Sequence, residues 1–278
     1  MKARLFCTSI FLLGVMIILN SCVSEARKQA ELRLEQAQTL FEGKQYEQSL
    51  ALLDSIESWF PEEYGVLGKA LKLQKTVAAE YHGSFIEQAS QLLAEAESRI
   101  DGLAKNFYFT EGAAGRPGSY EHKRQTVRNS WSRSFLKVNI TEDGEFWISS
   151  KYYGEEWIDH FCIKVYDRDI QIFSDTIPLN HPDNRKLQDG NDKWETIDYK
   201  NGSDGGVVGF IIENLNRNLK VRFTGKKHYY IVMEKFDKEA VRDGFELAQV
   251  LQEVSDLRQK IARHRKELRV LGISEAQK

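Results

Sequence analysis

The chain has 278 residues, 41% of them hydrophobic, with 39 Lys and Arg set against 41 Asp and Glu for a formal charge of −2. That length suits one large domain or two modest ones, and the charge balance leaves no cationic footprint for nucleic acid. Three cysteines are too few for a disulfide framework, and no motif for zinc, nucleotide phosphate or an esterase-type serine is present, so no cofactor or metal is expected.

The first residues read as an export signal. Met1-Lys2-Ala3-Arg4 is basic, and Leu5 to Leu19 is an apolar run of 15 residues interrupted by Cys7-Thr8-Ser9. A spanning helix needs about 20 apolar residues, so the run fits a cleaved secretory signal better than a transmembrane segment. Leu19-Asn20-Ser21 leads directly into Cys22. This tetrapeptide resembles the lipobox of bacterial lipoproteins. The resemblance implies a signal peptide over residues 1–21, a diacylglycerol on the Cys22 thiol and an acylated new amino group. Each buried methylene contributes about 0.8 kcal/mol and one chain alone binds marginally, so three chains hold the protein without any transmembrane helix. Val23 stands where an Asp would imply inner-membrane retention, which points to the outer membrane. Glu25 alone is not an acidic export run, which points to the periplasmic face. Removing Lys2 and Arg4 with the signal takes the formal charge from −2 to −4. Cys162 is then left by itself within Phe161-Cys162-Ile163-Lys164-Val165, where a buried thiol is expected.

Residues 22–108 predict helices, with Pro61 the one proline among them. The predicted segments run from Ser24 to Gly43, Tyr46 to Phe60, Pro61 to Tyr81 and Phe85 to Phe107, with His82-Gly83-Ser84 as a break and Ser84 as an N-cap. Ala37 in the first segment and Tyr46, Ser49, Leu53 and Ile56, closed by Pro61, follow the spacing of paired repeat helices. Ile86, Ala89 and Leu93 repeat that spacing forty residues on. Over about residues 30–100 the pattern resembles degenerate tetratricopeptide-repeat helices, which implies stacked helical hairpins. A plain helical bundle without a peptide groove is the alternative, because repeat arrays need about three units.

Ile86, Ala89, Leu93, Ala96, Ile100, Leu103 and Phe107 also form a heptad seam. Val250, Val254, Leu257, Ile261, His264, Leu268 and Leu271 form a second one. The long C-terminal amphipathic helix this predicts, over 238–271, needs a partner for its stripe. The economical partner is the helix of residues 85–107, in antiparallel pairing; a dimer through its own copy is the competitor. His264 on the seam is a packed residue or a pH-sensitive one.

Residues 119–236 shift to a period near two, with more Gly and aromatics. Hairpins are predicted at Leu136–Ile140 with Glu145–Ser149, at Phe161–Tyr166 with Ile170–Phe173, and at Leu219–Thr224 with His228–Lys235. Trp194–Tyr199 is a further strand, Pro178–Lys193 a polar loop, and Val207, Val208, Ile211, Ile212 and Leu215 mark one short helix. The whole is α+β: N-terminal helical hairpins, a mostly antiparallel β module and a C-terminal helix folding back.

No catalytic constellation is legible. Glu155, Glu156, Asp159 and Glu195 are candidate carboxylates for a hydrolase, and the loop of Asp183, Asp189, Asn191 and Asp192 is a candidate calcium site without EF-hand spacing. His160 shares a strand face with Cys162. The aromatics concentrate in the β module, and Trp147, Trp157 and Trp194 are candidate stacking residues for a sugar. Trp147 alternates away from Phe146 and Ile148, so it either faces solvent or is covered by another element. The expected function is a non-enzymatic, lipid-anchored envelope protein that acts as an interaction or structural module with an envelope protein partner. A glycan-binding lipoprotein is the alternative, and a carboxylate-dependent hydrolase ranks last.

Overall fold

The computed structural model describes residues 25–113 and 115–273; Cys22 and the signal lie outside them. The fold is α+β. Two compact units divide the chain, one reaching to Gln91 and resuming at Gln259, the other running from Leu92 to Arg258.

The first unit is helical. It holds α1 (25–42), α2 (Tyr46–Trp59), the first part of α3 (Tyr64–Leu103) and the last turns of α6 (Lys235–Val270). Its core is Ala30, Ala37, Leu53, Ile56, Val66, Ala70 and Val77. Small residues set the helix spacing: the Ser49 hydroxyl donates to the Ala37 carbonyl at 2.8 Å. That bond satisfies a hydroxyl with no exposed surface, as a buried polar group requires.

The predicted break at His82-Gly83-Ser84 does not occur, and α3 runs unbroken to Leu103. Ser84 does not cap; its hydroxyl donates backwards to the Tyr81 carbonyl at 3.0 Å. A helical glycine costs about 1 kcal/mol, and ring packing outweighs it. Phe85 stacks on His264 of α6 with centroids 3.8 Å apart, and Tyr81 and His82 pack on the same imidazole. At its far end the predicted helix overshoots. Leu103 passes into a 3₁₀ turn, Ala104–Asn106, and Phe107 is already extended.

The second unit is a two-sheet sandwich with helices. A six-stranded antiparallel sheet has the order β1-β2-β3-β4-β8-β7, built from β1 (Phe107–Thr110), β2 (Ser119–His122), β3 (Phe135–Thr141), β4 (Phe146–Gly154), β7 (Asn184–Asp189) and β8 (Asp192–Tyr199). A four-stranded sheet has the order β10-β9-β5-β6, from β5 (Cys162–Asp167), β6 (Ile170–Phe173), β9 (Lys220–Thr224) and β10 (Tyr229–Val232). The three predicted hairpins are present as β3–β4, β5–β6 and β9–β10. The short helix is α5 (Val207–Glu213), and a single turn, α4 (Val127–Ser130), precedes β3.

Alternation sorts the side chains of β4 and β8. Ile148, Ser150 and Tyr152, with Glu195, Ile197 and Tyr199, face inward; Trp147, Ser149, Lys151 and Tyr153, with Trp194, Thr196 and Asp198, face outward. The inner face packs on Ile163, Val165, Val221 and Phe223 of the smaller sheet. The β3 end of that face is covered by α6 through Ala240, Val241, Leu247, Ala248 and Leu251. Two glycines allow that contact. A Cβ on Gly244 of α6 would sit 2.5 Å from a Val138 methyl. Gly144 turns the β3–β4 hairpin at φ +88°, and a Cβ there would meet the α6 backbone at 2.6 Å.

Within this unit α3 and α6 pack antiparallel through Leu93, Ala96, Ile100 and Leu103 against Val250 and Val254. Arg99–Glu253 at 2.7 Å and Arg258–Glu97 at 2.6 Å flank the seam.

Candidate functional site

The inner face carries a polar network that spacing in the sequence does not reveal. His160 Nδ1 lies 2.7 Å from Glu195 Oε2, and His160 Nε2 lies 2.9 Å from Ser150 Oγ. Glu195 Oε1 also accepts the backbone N–H groups of Ile158 and Asp159, and Oε2 that of His160, each at 2.8 Å. Burial pushes the Glu195 carboxyl up, but these donors outweigh it and hold it below the ordinary carboxylate range. An ionised Glu195 can only accept, so Nδ1–H donates to it and Nε2 is left to accept from the Ser150 hydroxyl. Tyr199 Oη stands 3.4 Å behind Ser150, and burial pushes its phenol far up.

Serine, histidine and carboxylate in this order are the parts of a nucleophilic relay. Here all three side chains have no exposed surface, and the Phe223 ring closes edge-on over His160 at 5.4 Å. The arrangement does structural work. Segment 155–161 carries the chain from one sheet to the other, and the Glu195 carboxylate ties down three consecutive N–H groups of it. Two of the other three candidate carboxylates are engaged elsewhere, Asp159 with Lys186 and Lys226 and Glu156 with Lys227, while at Glu155 it is the backbone carbonyl that accepts from Lys193. Cys162 is buried, which pushes its thiol up.

The outer face is open. Register places Lys151, Thr196 and Arg185 side by side across β4, β8 and β7, and Tyr153, Trp194 and Leu187 in the next outward row. Trp131, from the turn after α4, folds over this row, its ring 4.7 Å from that of Trp194. Its carbonyl accepts the Trp194 indole N–H at 2.8 Å. Trp194 is 6% exposed and Trp131 45%, so the buried indole supports the open one. The cavity they line with Lys151, Arg185, Lys186, Leu187 and Thr196 measures about 290 Å³.

Two cations of this cavity differ in how they are held. Arg185 Nη2 donates to Asp198 at 2.8 Å, and Asp198 in turn accepts from Ser149 at 2.6 Å, which fixes the guanidinium. Lys151 is in no ion pair among the described residues; its ammonium lies over the Phe135 ring at 5.7 Å. Burial, then repulsion from Lys137, holds it below the ordinary lysine range. Glu121 acts upward on it but is paired with Lys137, and a half-buried cation outside any ion pair gains most from an anion.

The three sequence-predicted stacking residues do not share a platform. Trp194 belongs to the cavity. Trp147 is also outward, but six residues away along β4 from Tyr153, the partner of Trp194, so about 20 Å apart at 3.4 Å per residue. Lys200 covers its ring at 4.8 Å, and its indole N–H is buried without an acceptor. Trp157 lies under Lys186 and Lys193. Sequence reasoning missed Trp131, Lys151 and Arg185 as a group.

No group of three or more His, Cys, Asp or Glu among the described residues is placed to hold a metal, and no described helix is long and apolar enough to cross a membrane. No family model matches the chain, and no curated protein or solved structure matches it either.

Proposed function

We propose that this chain is a lipid-anchored, non-enzymatic binding module of the bacterial cell envelope, held by Cys22 to the outer membrane on its periplasmic side, with the outer face of the six-stranded sheet as its binding surface. One observation carries the reading: Trp131, Lys151 and Arg185 line an open cavity, whereas the Ser150–His160–Glu195 relay is sealed. The partner is an envelope protein. In-cell crosslinking through a photoreactive residue at position 187, followed by mass spectrometry, tests this. Adducts to one envelope protein that vanish in Trp131→Ala support it. Labelling of Ser150 by a fluorophosphonate probe in the folded protein overturns the non-enzymatic part. Labelled palmitate absent from the wild type overturns the anchor.

The second reading is a glycan partner, favoured by the geometry of the two indoles. A sugar ring stacks on an exposed indole held rigidly from behind, and Lys151 and Arg185 offer donors beside it. An acidic sugar would give the Lys151 ammonium the anion it lacks. Titration with acidic and neutral oligosaccharides, followed by Trp emission in the wild type and in Trp131→Phe, separates the two partners.

A further inference from the structure

We infer that the end of the helical unit formed by the first turns of α1, the α2–α3 turn and the start of α3 rests in the headgroup layer of the bilayer, with Trp59 and Tyr64 as its interfacial residues. The inference rests on the Cys22 anchor proposed above.

Trp59 and Tyr64 are 62% and 79% exposed. Both lie at the end of the unit where α1 begins. Along α2, Ser49 bonds Ala37, and Ser55 is met by Arg33 at 3.5 Å. The partners on α1 therefore step back toward its start as α2 advances toward Trp59. The Arg33 guanidinium lies 3.9 Å over the Trp59 ring. Arg33 is eight residues from Glu25, about 12 Å of helix, and Trp59 is four residues beyond Ser55, about 6 Å toward the same end. Tyr64 starts α3 directly after the turn, and Val66 two residues on shares a core with Ala30 of α1.

Covalent geometry then fixes what lies next to this end. Three residues separate the Cys22 and Glu25 positions, a span of at most about 11 Å. An acylated Cys22 sits at the membrane surface, so the start of α1 is held within that distance of it. Trp and Tyr are the side chains suited to that layer, with an apolar ring and a polar tip. Arg33, its guanidinium over the indole, adds a cation at headgroup level.

The test separates the tip from the anchor. The chain from Cys22 onward is coupled through that thiol to a maleimide-headgroup lipid, so that attachment does not depend on cellular acylation. Vesicles of phosphatidylethanolamine and phosphatidylglycerol with brominated acyl chains then report which indoles reach the bilayer. The expected result is partial quenching of Trp emission that Trp59→Phe abolishes and Trp131→Phe leaves intact. Attached protein whose emission is not quenched, or is quenched equally in Trp59→Phe, overturns the inference while leaving the anchor to its palmitate assay. Trp59 is exposed, so its replacement by Phe leaves the fold in place for the comparison.

Discussion

The two faces of β4 and β8 carry opposite kinds of polar chemistry from alternate residues of the same strands. Ser150 and Glu195 point inward, and Lys151 and Trp194, their next neighbours, point outward. Inside, Ser150 and His160 and the three N–H groups of the crossover each find an acceptor, and the network holds that crossover in place. Outside, Lys151 makes no ion pair among the described residues, and Trp131 is 45% exposed. A fully satisfied buried network adds rigidity; an incompletely satisfied exposed one is where a ligand gains. Residues that resemble catalytic machinery and residues that line an open cavity are therefore separated here by a single position along a strand.

The largest expected effect comes from the inside. Glu195→Gln keeps the shape but turns an amide N–H₂ toward the His160 ring and backbone donors. Removing one partner of a buried charged network costs about 3–5 kcal/mol, read as a lowered denaturant midpoint. The wild type has its own pH signature. The Glu195 carboxyl is held below its ordinary value of about 4.5, so the folded state binds this proton less readily than the unfolded one. The stabilisation is complete above about pH 4.5 and is lost as pH falls through the lower folded value. Glu195→Gln should flatten that acid limb. A change under about 1 kcal/mol in the variant would show that the network does not tie the sheets.

Next comes the cover over the inner face. Gly144→Ala places a methyl against the α6 backbone at a positive φ, where an L-residue is strained in any case. Strain and overpacking together should cost about 2 kcal/mol or more. Thermal unfolding of the variant beside Gly190→Ala checks the cause: position 190 has positive φ but open space, so it should lose only the strain part.

Much of this fold was legible because one-sided burial leaves alternation in the sequence. β3, β4, β5 and β8 show it, and the helix seams show their three-four spacing through Ala96, Val250 and Val254. β7 does not. Asn184-Arg185-Lys186-Leu187-Gln188-Asp189 is an edge strand exposed along most of its length, and charged edges that discourage further pairing read as loop. β1 was hidden because Phe107 continues the heptad spacing of α3. The break expected at Gly83 failed because packing from α6, which local sequence does not encode, outweighed propensity. The candidate site was the least legible part. Trp131 sits in a turn, Arg185 in the unrecognised strand and Lys151 among aromatics, and only the register brings them together. The relay at 150, 160 and 195 was hidden for the same reason.

A smaller effect is expected outside. Lys151→Met removes a half-buried ammonium that has no ion-pair partner among the described residues, and the unfolding free energy should change by less than about 1 kcal/mol. The same variant should weaken any anionic ligand at least tenfold, measured by titration. A large loss of stability with unchanged binding would reverse the contrast between the faces.

The smallest effect separates a sealed imidazole from an open pair. His82 Nδ1 and His264 Nδ1 lie 2.9 Å apart, half-buried between α3 and α6. Such a contact needs a proton on one nitrogen and a lone pair on the other. Burial lowers the pKa of both rings; Glu267 acts upward on both, while Arg263 and His82 itself act downward on His264. The folded state thus binds these protons less readily than the unfolded chain, whose histidines titrate near 6.5. The stabilisation is present above about pH 6.5 and is lost as pH falls through the folded values, when two imidazolium rings would face each other. Backbone amides 80–86 and 261–267 should exchange faster at pH 5 than at pH 7 after correction for intrinsic rates, and His264→Gln should remove the difference. Amides 158–160, held by the Glu195 carboxylate beside a sealed His160, should keep their protection over the same range. Equal protection of 261–267 at both pH values would mean that the pair adds nothing to the hold of α6 on α3.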